Sequence, residues 1–291
     1  MNFSNPALLD QKLKLLEDPN IEIKAIVSFD FHGISINFHT SEAKLASELL
    51  AYLPPMWIKA QATRGIDIFH TNFPELGIDW VDESSSDIHS PNPETAIQRD
   101  FAAQTNPKEK NCYVFFEGAI DDGLHNFMRW FLSPRLITSQ KMILHSSALA
   151  CKKTSKAYLF LGPSGAGKTT VTSLGGERLV LSDDMNLLDF SDSITISPGG
   201  VGGLYKPQVS IDAGFDIDTA YWLVQSNSNS VKNVSLKIQS RYLLASMANM
   251  PWSSIDSSDS LDVLEVIEKV LSKLQIRELH FKKDSSFWEL L

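Results

Sequence analysis

The sequence predicts a mixed α/β and α+β protein with two domains. An N-terminal α+β accessory domain is expected at residues 1–108, and a C-terminal phosphate-binding-loop domain with a central mixed sheet is expected at residues 109–291. Two observations support this prediction. Short apolar runs suited to strands alternate with helical patterns, and one of these runs, at 157–161, leads directly into a glycine-rich loop and a helix start. The polar stretch TNPKEKN, at 105–111, favours a boundary between the domains.

Composition excludes several classes of function. The chain has 291 residues, of which 43% are hydrophobic and 21% charged, and its formal net charge is -9. An acidic chain of this kind is not expected to bind nucleic acid or anionic membranes, because both require a basic surface. The sequence contains no apolar run long enough for a membrane helix and no signal peptide, so a cytoplasmic location is expected. Cys112 and Cys151 show neither a metal spacing nor a redox pair, and we expect two free thiols.

The N-terminal domain is predicted to begin with a helix from about Asn5 to Leu16. A β-hairpin is expected around His32 and Gly33, followed by a helix over 41–52 that ends before Pro54. The remaining strands are predicted at 56–60, 66–72 and 78–81, and a loop is predicted at 84–94. The histidines are scattered, which favours structural or exposed roles over metal binding.

The C-terminal domain is predicted from a second series of patterns. Its elements, in order, are a strand at 112–119, a helix over 121–138 that Pro134 breaks or kinks, strands at 142–152 and 157–161, a short helix from 169, a strand at 178–182, a short helix over 241–250 and an amphipathic helix over 261–274. The glycine-rich segment 197–207 is expected to be either a mobile loop over the active site, with Lys206 available for a phosphate, or an ordinary surface turn.

The most informative motif is the loop GPSGAGKT, which fits the pattern G-x-x-x-x-G-K-[ST]. Its glycines allow successive backbone N–H groups to point at an anion, Lys168 adds a positive charge for the β and γ phosphates, and the Thr169 hydroxyl is the usual ligand of the bridging Mg²⁺. We therefore predict binding of ATP and Mg²⁺. The predicted nucleotide-binding residues are Gly162, Pro163, Ser164, Gly165, Ala166, Gly167, Lys168, Thr169 and Thr170.

A second motif lies close after the loop. The predicted strand at 178–182 ends in Asp183 and Asp184. In a phosphoryl-transfer site, one carboxylate can accept the proton of an attacking hydroxyl while the other holds the metal or a metal-bound water. The alternative is an acidic turn that only caps the strand.

The segment from Met142 to about Leu188 resembles the C-terminal domain of the HPr kinase/phosphorylase family, whose nucleotide site is shared with ATP-dependent phosphoenolpyruvate carboxykinase. The resemblance rests on HSSALA before the loop, on GPSGAGKT, and on the strand that ends in Asp-Asp. It implies that His145 lies near the phosphates, that Asp183 is the base, and that Asp184 serves the metal together with Thr169; the two aspartates can be exchanged. A hydrogen-bonded core histidine is the competing interpretation of His145. The Glu-x-Arg signature of the HPr kinases is absent after the acidic pair. The resemblance therefore supports the nucleotide site more strongly than it supports a protein substrate.

The function predicted from the sequence is an ATP-dependent kinase that transfers the γ-phosphate to a hydroxyl acceptor. The acceptor is a Ser/Thr of a small protein or peptide, or a small metabolite; a homo-oligomer is compatible with the sequence. Arg241 is a candidate for stabilising transition-state charge, with an ordinary surface arginine as the alternative. A nucleotide-binding regulatory module that has lost catalysis is the alternative function, and a carboxykinase fits less well because no dicarboxylate site is evident.

Overall fold

The structure is a computed structural model that describes residues 22–60, 65–72, 88–92, 94–200, 202–203, 205, 208–247 and 257–291. Two mixed β-sheets with few helices make up the described part of the chain, so the fold is mixed α/β and compatible with α+β. The contacts divide the chain into two units. Among the described residues, the first unit extends to Phe131 and the second begins at Leu132.

The first unit is built on one sheet. Its strands are β1 (Ala25–Phe31), β2 (Ile34–Thr40), β3 (Ile66–Thr71), β4 (His89–Asn92), β5 (Thr95–Ile97), β6 (Phe101–Asn106) and β7 (Asn111–Phe116), in the spatial order β1-β2-β3-β7-β6-β5-β4. Helix α1 (Ala43–Tyr52) buries Leu45 and Leu49, and helix α2 (Asp122–Thr138) begins in this unit. Alternate residues of β1 and β2 form a core of large apolar side chains, including Phe31 and Phe38.

The domain boundary differs from the sequence prediction. The predicted boundary at 108/109 falls in the turn between β6 and β7, which pair antiparallel in the sheet of the first unit. The two units divide instead within α2, between Phe131 and Leu132. A polar turn inside a hairpin and a polar linker between domains have the same composition, which explains the difference.

The second unit contains the larger sheet. Its strands are β8 (Lys141–Ala150), β9 (Ala157–Leu161), β10 (Leu179–Ser182), β11 (Met185–Asp189), β12 (Thr195–Pro198), β13 (Phe215–Asp216), β14 (Thr219–Gln225), β15 (Ser230–Asn233) and β16 (Gln275–Phe281). Their order is β13-β12-β11-β8-β9-β14-β16-β15, and β10 also pairs with β8. Strands β9, β14 and β16 are parallel.

Helices cover this sheet on both faces. Helix α3 (Lys168–Ser173) contributes Val171 to a core cluster with Leu149 and Phe160. Helices α4 (Leu236–Ser246) and α5 (Ser257–Leu271) contribute Leu243 and Ile267 to the cluster on the opposite face. A C-terminal 3-10 helix, Ser285–Leu290, packs Phe287 into the α3 cluster.

Several predicted elements are confirmed and others are wrong. The hairpin of β1 and β2 is present. The strand predicted at 56–60 is wrong, because Pro54 and Pro55 start a 3-10 turn there, Pro55–Trp57. Helix α2 continues through Pro134 to Thr138 rather than breaking there. Strand β4 lies in the segment predicted as a loop, and β5 and β6 were not predicted. The predictions at 5–16 and 78–81 lie outside the described residues.

The short predicted helix at 241–250 begins earlier, at Leu236, and ends at Ser246. In α5, which the sequence predicted to be amphipathic, Ile267 and Val270 are buried, whereas Leu264 is 52% exposed. Among the described residues, no helix combines the length and the hydrophobicity that crossing a bilayer requires.

Candidate active site

The loop GPSGAGKT, which the sequence predicts to bind phosphates, connects β9 to α3, as the motif predicts. The backbone at Gly167, which precedes the helix, is left-handed, with a φ of 111°. A Cβ at this position would stand 2.6 Å from Cζ of the buried Phe281 ring. Only glycine combines this backbone conformation with this close approach, so the glycine before Lys168 is required by geometry.

Lys168 folds back over its own loop. The residue is 7% exposed, and its Nζ donates hydrogen bonds to the carbonyl oxygens of Gly162 at 2.8 Å and of Pro163 at 3.2 Å. Burial lowers the pKa of this amine below its ordinary value, while the nearby negative charge of Asp184 acts in the opposite direction. The amine is therefore held against its own loop by these two carbonyl groups.

The acidic pair lies at a break in the sheet. Strands β10 and β11 both pair antiparallel with β8, and the residues between them leave the ladder. The Ser182 hydroxyl accepts hydrogen bonds from the backbone N–H groups of Asp184 and Met185, both at 3.2 Å. The Asp184 carbonyl accepts from the Ser146 N–H at 2.8 Å, which anchors the turn on β8. The pair is thus held by backbone contacts on both sides.

Asp183 faces the phosphate-binding loop. The residue is 4% exposed, and its Oδ2 accepts a hydrogen bond from the Thr169 hydroxyl at 3.3 Å. The other oxygen, Oδ1, accepts from the backbone N–H of Tyr205 at 3.1 Å. The acidic pair and the loop therefore meet through the hydroxyl that the sequence assigned to Mg²⁺.

Asp184 is paired with His145. Its Oδ1 lies 3.2 Å from Nε2 of the histidine, and the two side chains are 24% and 36% exposed. The contact follows from register, because Met185 lies directly opposite His145 on the neighbouring strand. Alternation along β8 places His145 on the same face as Leu149, which packs with α3. His145 consequently lies on the same face of the sheet as α3 and contacts Asp184, and does not belong to the core cluster on the opposite face.

The site offers donors that fit the phosphates and Mg²⁺. Loop amides and Lys168 suit the phosphates, while the Thr169 hydroxyl and the Asp183 carboxylate are hard oxygen donors of the kind that Mg²⁺ prefers. Within the described residues, no group of three or more His, Cys, Asp or Glu side chains could hold a metal by itself. Phosphate oxygens and water would complete the coordination, which is the usual arrangement for Mg²⁺ at a nucleotide site.

One other candidate from the sequence, Arg241, is not part of this arrangement. Arg241 is exposed on α4, next to Tyr242, which stacks on Trp222 with ring centroids 4.1 Å apart. Lys206 lies outside the described residues. The sequence did not identify the contact between the Tyr205 amide and Asp183, since a backbone donor carries no signal in residue identity. The run of glycines just before Tyr205 was the available clue.

The comparisons with known proteins identify no family for this chain. The chain matches no model of a known protein family, and a search of curated proteins found no match.

Proposed function

We propose that the protein is an ATP-dependent kinase that transfers the γ-phosphate to a hydroxyl acceptor. The observation that carries the proposal is the hydrogen bond of 3.3 Å between Thr169 and Asp183, because it joins the phosphate-binding loop to the acidic pair. A loop that only bound an anion would not need a second acidic side chain aimed at its hydroxyl. The sequence resemblance to the HPr kinases supports the same function.

The loop would hold the triphosphate. Backbone N–H groups at the start of α3 and the Lys168 ammonium would neutralise the phosphate oxygens. Mg²⁺, when bound by Thr169 and Asp183, would supply further charge neutralisation between the β and γ phosphates. The Lys168 amine would exchange its hydrogen bonds with Gly162 and Pro163 for bonds to phosphate oxygens.

The geometry favours exchanging the roles that the resemblance implied for the two aspartates. Asp183 contacts Thr169 and suits the metal, whereas Asp184 contacts His145 and is the more accessible of the two. We therefore assign Asp184 as the general base. It would take the proton of the acceptor hydroxyl as that oxygen bonds to the γ-phosphorus and ADP leaves. His145 would orient the Asp184 carboxylate.

The acceptor belongs to one of two classes. A Ser/Thr of a small protein or peptide and the hydroxyl of a small metabolite both present the group that Asp184 would deprotonate. The acidic composition of the chain does not favour nucleic acid as a partner.

A transfer screen with γ-labelled ATP and Mg²⁺ tests the proposal. The acceptors are free amino acids, sugars and a library of Ser/Thr peptides, and the proteins are wild type, Lys168→Ala, Asp184→Asn and Asp189→Asn. Asp189 is a matched control because it lies on β11 beyond the site and pairs with Lys141. We expect a labelled product with wild type and Asp189→Asn, and little with the other two. ATP binding without any labelled product would instead support the regulatory module that has lost catalysis.

A further inference from the structure

Several described residues that follow β12 contact the acidic pair or the strands on either side of it. We define the strap as Gly199, Gly200, Gly202, Gly203, Tyr205 and Gln208. It follows β12 and is anchored at both ends. At one end the Gly199 N–H donates to the Met185 carbonyl at 3.1 Å. At the other end Gln208 makes two bonds to Val180, from its own N–H to the carbonyl at 3.0 Å and from the Val180 N–H to its Oε1 at 3.0 Å.

The middle of the strap touches Asp183. The Tyr205 N–H donates to Asp183 Oδ1 at 3.1 Å. At Gly203, φ is 98°, and a Cβ there would stand 2.8 Å from the same Oδ1 and 3.4 Å from Cβ of Asp184. A side chain at this position would therefore meet the carboxylate and strain the backbone. Gly203 lets the backbone come close enough to Asp183 for the Tyr205 amide to donate to its carboxylate.

The two oxygens of Asp183 receive hydrogen bonds from opposite sides. Oδ1 accepts from Tyr205 of the strap, and Oδ2 accepts from Thr169 of α3. A carboxylate held at both oxygens keeps one orientation, and a bond from a group outside the coordination shell orients a metal ligand in this way.

We propose that Gly203 and the Tyr205 amide are positioning groups that hold the Asp183 carboxylate towards Thr169, so that the strap sets the affinity of the site for Mg²⁺. This inference rests on the proposed function. It gives a role to described residues of the glycine-rich segment 197–207, which the sequence left open between a loop over the active site and a surface turn.

Metal binding in the presence of a non-hydrolysable nucleotide tests the inference without measuring activity. Mn²⁺ serves as the spectroscopic probe for the Mg²⁺ site and is titrated by electron paramagnetic resonance into protein saturated with AMP-PNP. Gly203→Ala should weaken Mn²⁺ binding by about tenfold or more, while its metal-free affinity for AMP-PNP stays within about twofold of wild type. Gly33→Ala is the matched control, because Gly33 has a similar φ of 96° but a Cβ there would meet nothing within 4 Å. Gly33 also lies in the hairpin of β1 and β2, outside the unit that contains the site.

A second measurement needs neither metal nor nucleotide. Hydrogen exchange of the Tyr205 amide should be about tenfold faster in Asp183→Ala than in wild type, because a hydrogen bond to a charged acceptor is lost. If Gly203→Ala does not fold, this comparison still tests whether the Tyr205 amide is bound to Asp183.

The outcomes separate the two proposals. If wild type binds neither AMP-PNP nor Mn²⁺, the proposed function fails and the inference fails with it. If wild type binds both, the inference alone is contradicted by unchanged Mn²⁺ affinity in Gly203→Ala, or by equal exchange of the Tyr205 amide in wild type and Asp183→Ala.

Discussion

Nε2 of His145 lies 3.2 Å from Oδ1 of Asp184, and the contact is fixed by the pairing of β8 with β11. Because the two strands are antiparallel neighbours, His145 and the residue after Asp184 lie opposite one another. The histidine therefore reaches the end of the acidic turn without any loop having to move. This relationship separates Asp184 from Asp183, whose carboxylate faces Thr169.

The first prediction follows from that separation. Asp184→Asn should leave ATP affinity within a few fold of wild type and lower the rate of transfer by ~10² to 10⁴, the usual contribution of a general base. Asparagine keeps the shape of the side chain but cannot accept the proton. Steady-state rates at saturating Mg²⁺ measure the effect, and a rate within tenfold of wild type would show that Asp184 is not the base.

Asp183→Asn should behave differently. Its amide is a poorer metal ligand than a carboxylate, so activity should shift towards higher Mg²⁺ concentration and recover in part when the metal is saturating. A magnesium titration of both aspartate variants under one set of conditions gives the comparison. Identical magnesium dependence in the two variants would remove the distinction between their roles.

Gly167→Ala should weaken ATP binding by about tenfold or more. The new Cβ would stand 2.6 Å from the Phe281 ring, which is 1% exposed, and the backbone φ of 111° is strained for alanine. Gly176→Ala is a suitable control, because Gly176 also has a positive φ, of 63°, but open space around it. Calorimetric titration with ATP compares the two, and equal losses would mean that backbone strain, not the contact with Phe281, is responsible.

The C-terminal 3-10 helix should stabilise the end of α3. The indole of Trp288 donates to the Leu174 carbonyl at 2.7 Å, and the Arg178 guanidinium lies 3.6 Å from the centre of a Trp288 ring. Trp288→Ala should lower the free energy of unfolding of this unit by about 3 kcal/mol, within the range for removing a packed aromatic side chain. Chemical denaturation measures the change, with the exposed Glu289→Ala as control. A loss no greater than that of the control would argue against this role.

His70 should make the first unit less stable in acid. Burial lowers its pKa from 6.5 to about 4, although a hydrogen bond to the Phe116 carbonyl opposes the shift. The unfolded chain therefore binds a proton that the folded chain excludes, and stability should fall as the pH decreases from about 6.5 to 4. The loss from this group is about 3 kcal/mol at the lower end.

Denaturation of wild type and His70→Asn across this pH range isolates the contribution of the histidine. The variant should show a smaller decrease in stability towards acid than wild type. The same slope in both proteins would mean that His70 is not the group responsible.

The sequence predicted the local backbone of the loop and of the acidic turn better than the fold around them. The spacing of Gly162, Gly167 and Lys168 specifies a local structure, and a strand ending in two aspartates specifies where the next charges lie. Both features depend only on residues that lie close together in the sequence. The prediction of a strand at 56–60 was wrong because two prolines outweighed the apolar pattern. The sequence did not predict β5 and β6 because these strands depend on pairing with neighbouring strands.

The contact between Tyr205 and Asp183 could not be predicted for a related reason. The two residues are brought together by the pairing of β11 with β12 and by a backbone N–H that every residue except proline possesses. The roles that we propose for Asp183 and Asp184 likewise depend on register, which the sequence leaves open.

Calorimetric titration of ATP with Mg²⁺ into wild type and Lys168→Ala is the most direct test of the central claim that this loop binds a nucleotide triphosphate. Lys237→Ala, which removes an exposed lysine on α4, is the control for the loss of one positive charge. We expect wild type and Lys237→Ala to bind ATP equally and Lys168→Ala to bind at least about tenfold more weakly, since the charge that faces the phosphates is gone. Equal affinity in all three proteins would contradict the assignment of the loop, and with it the proposed kinase.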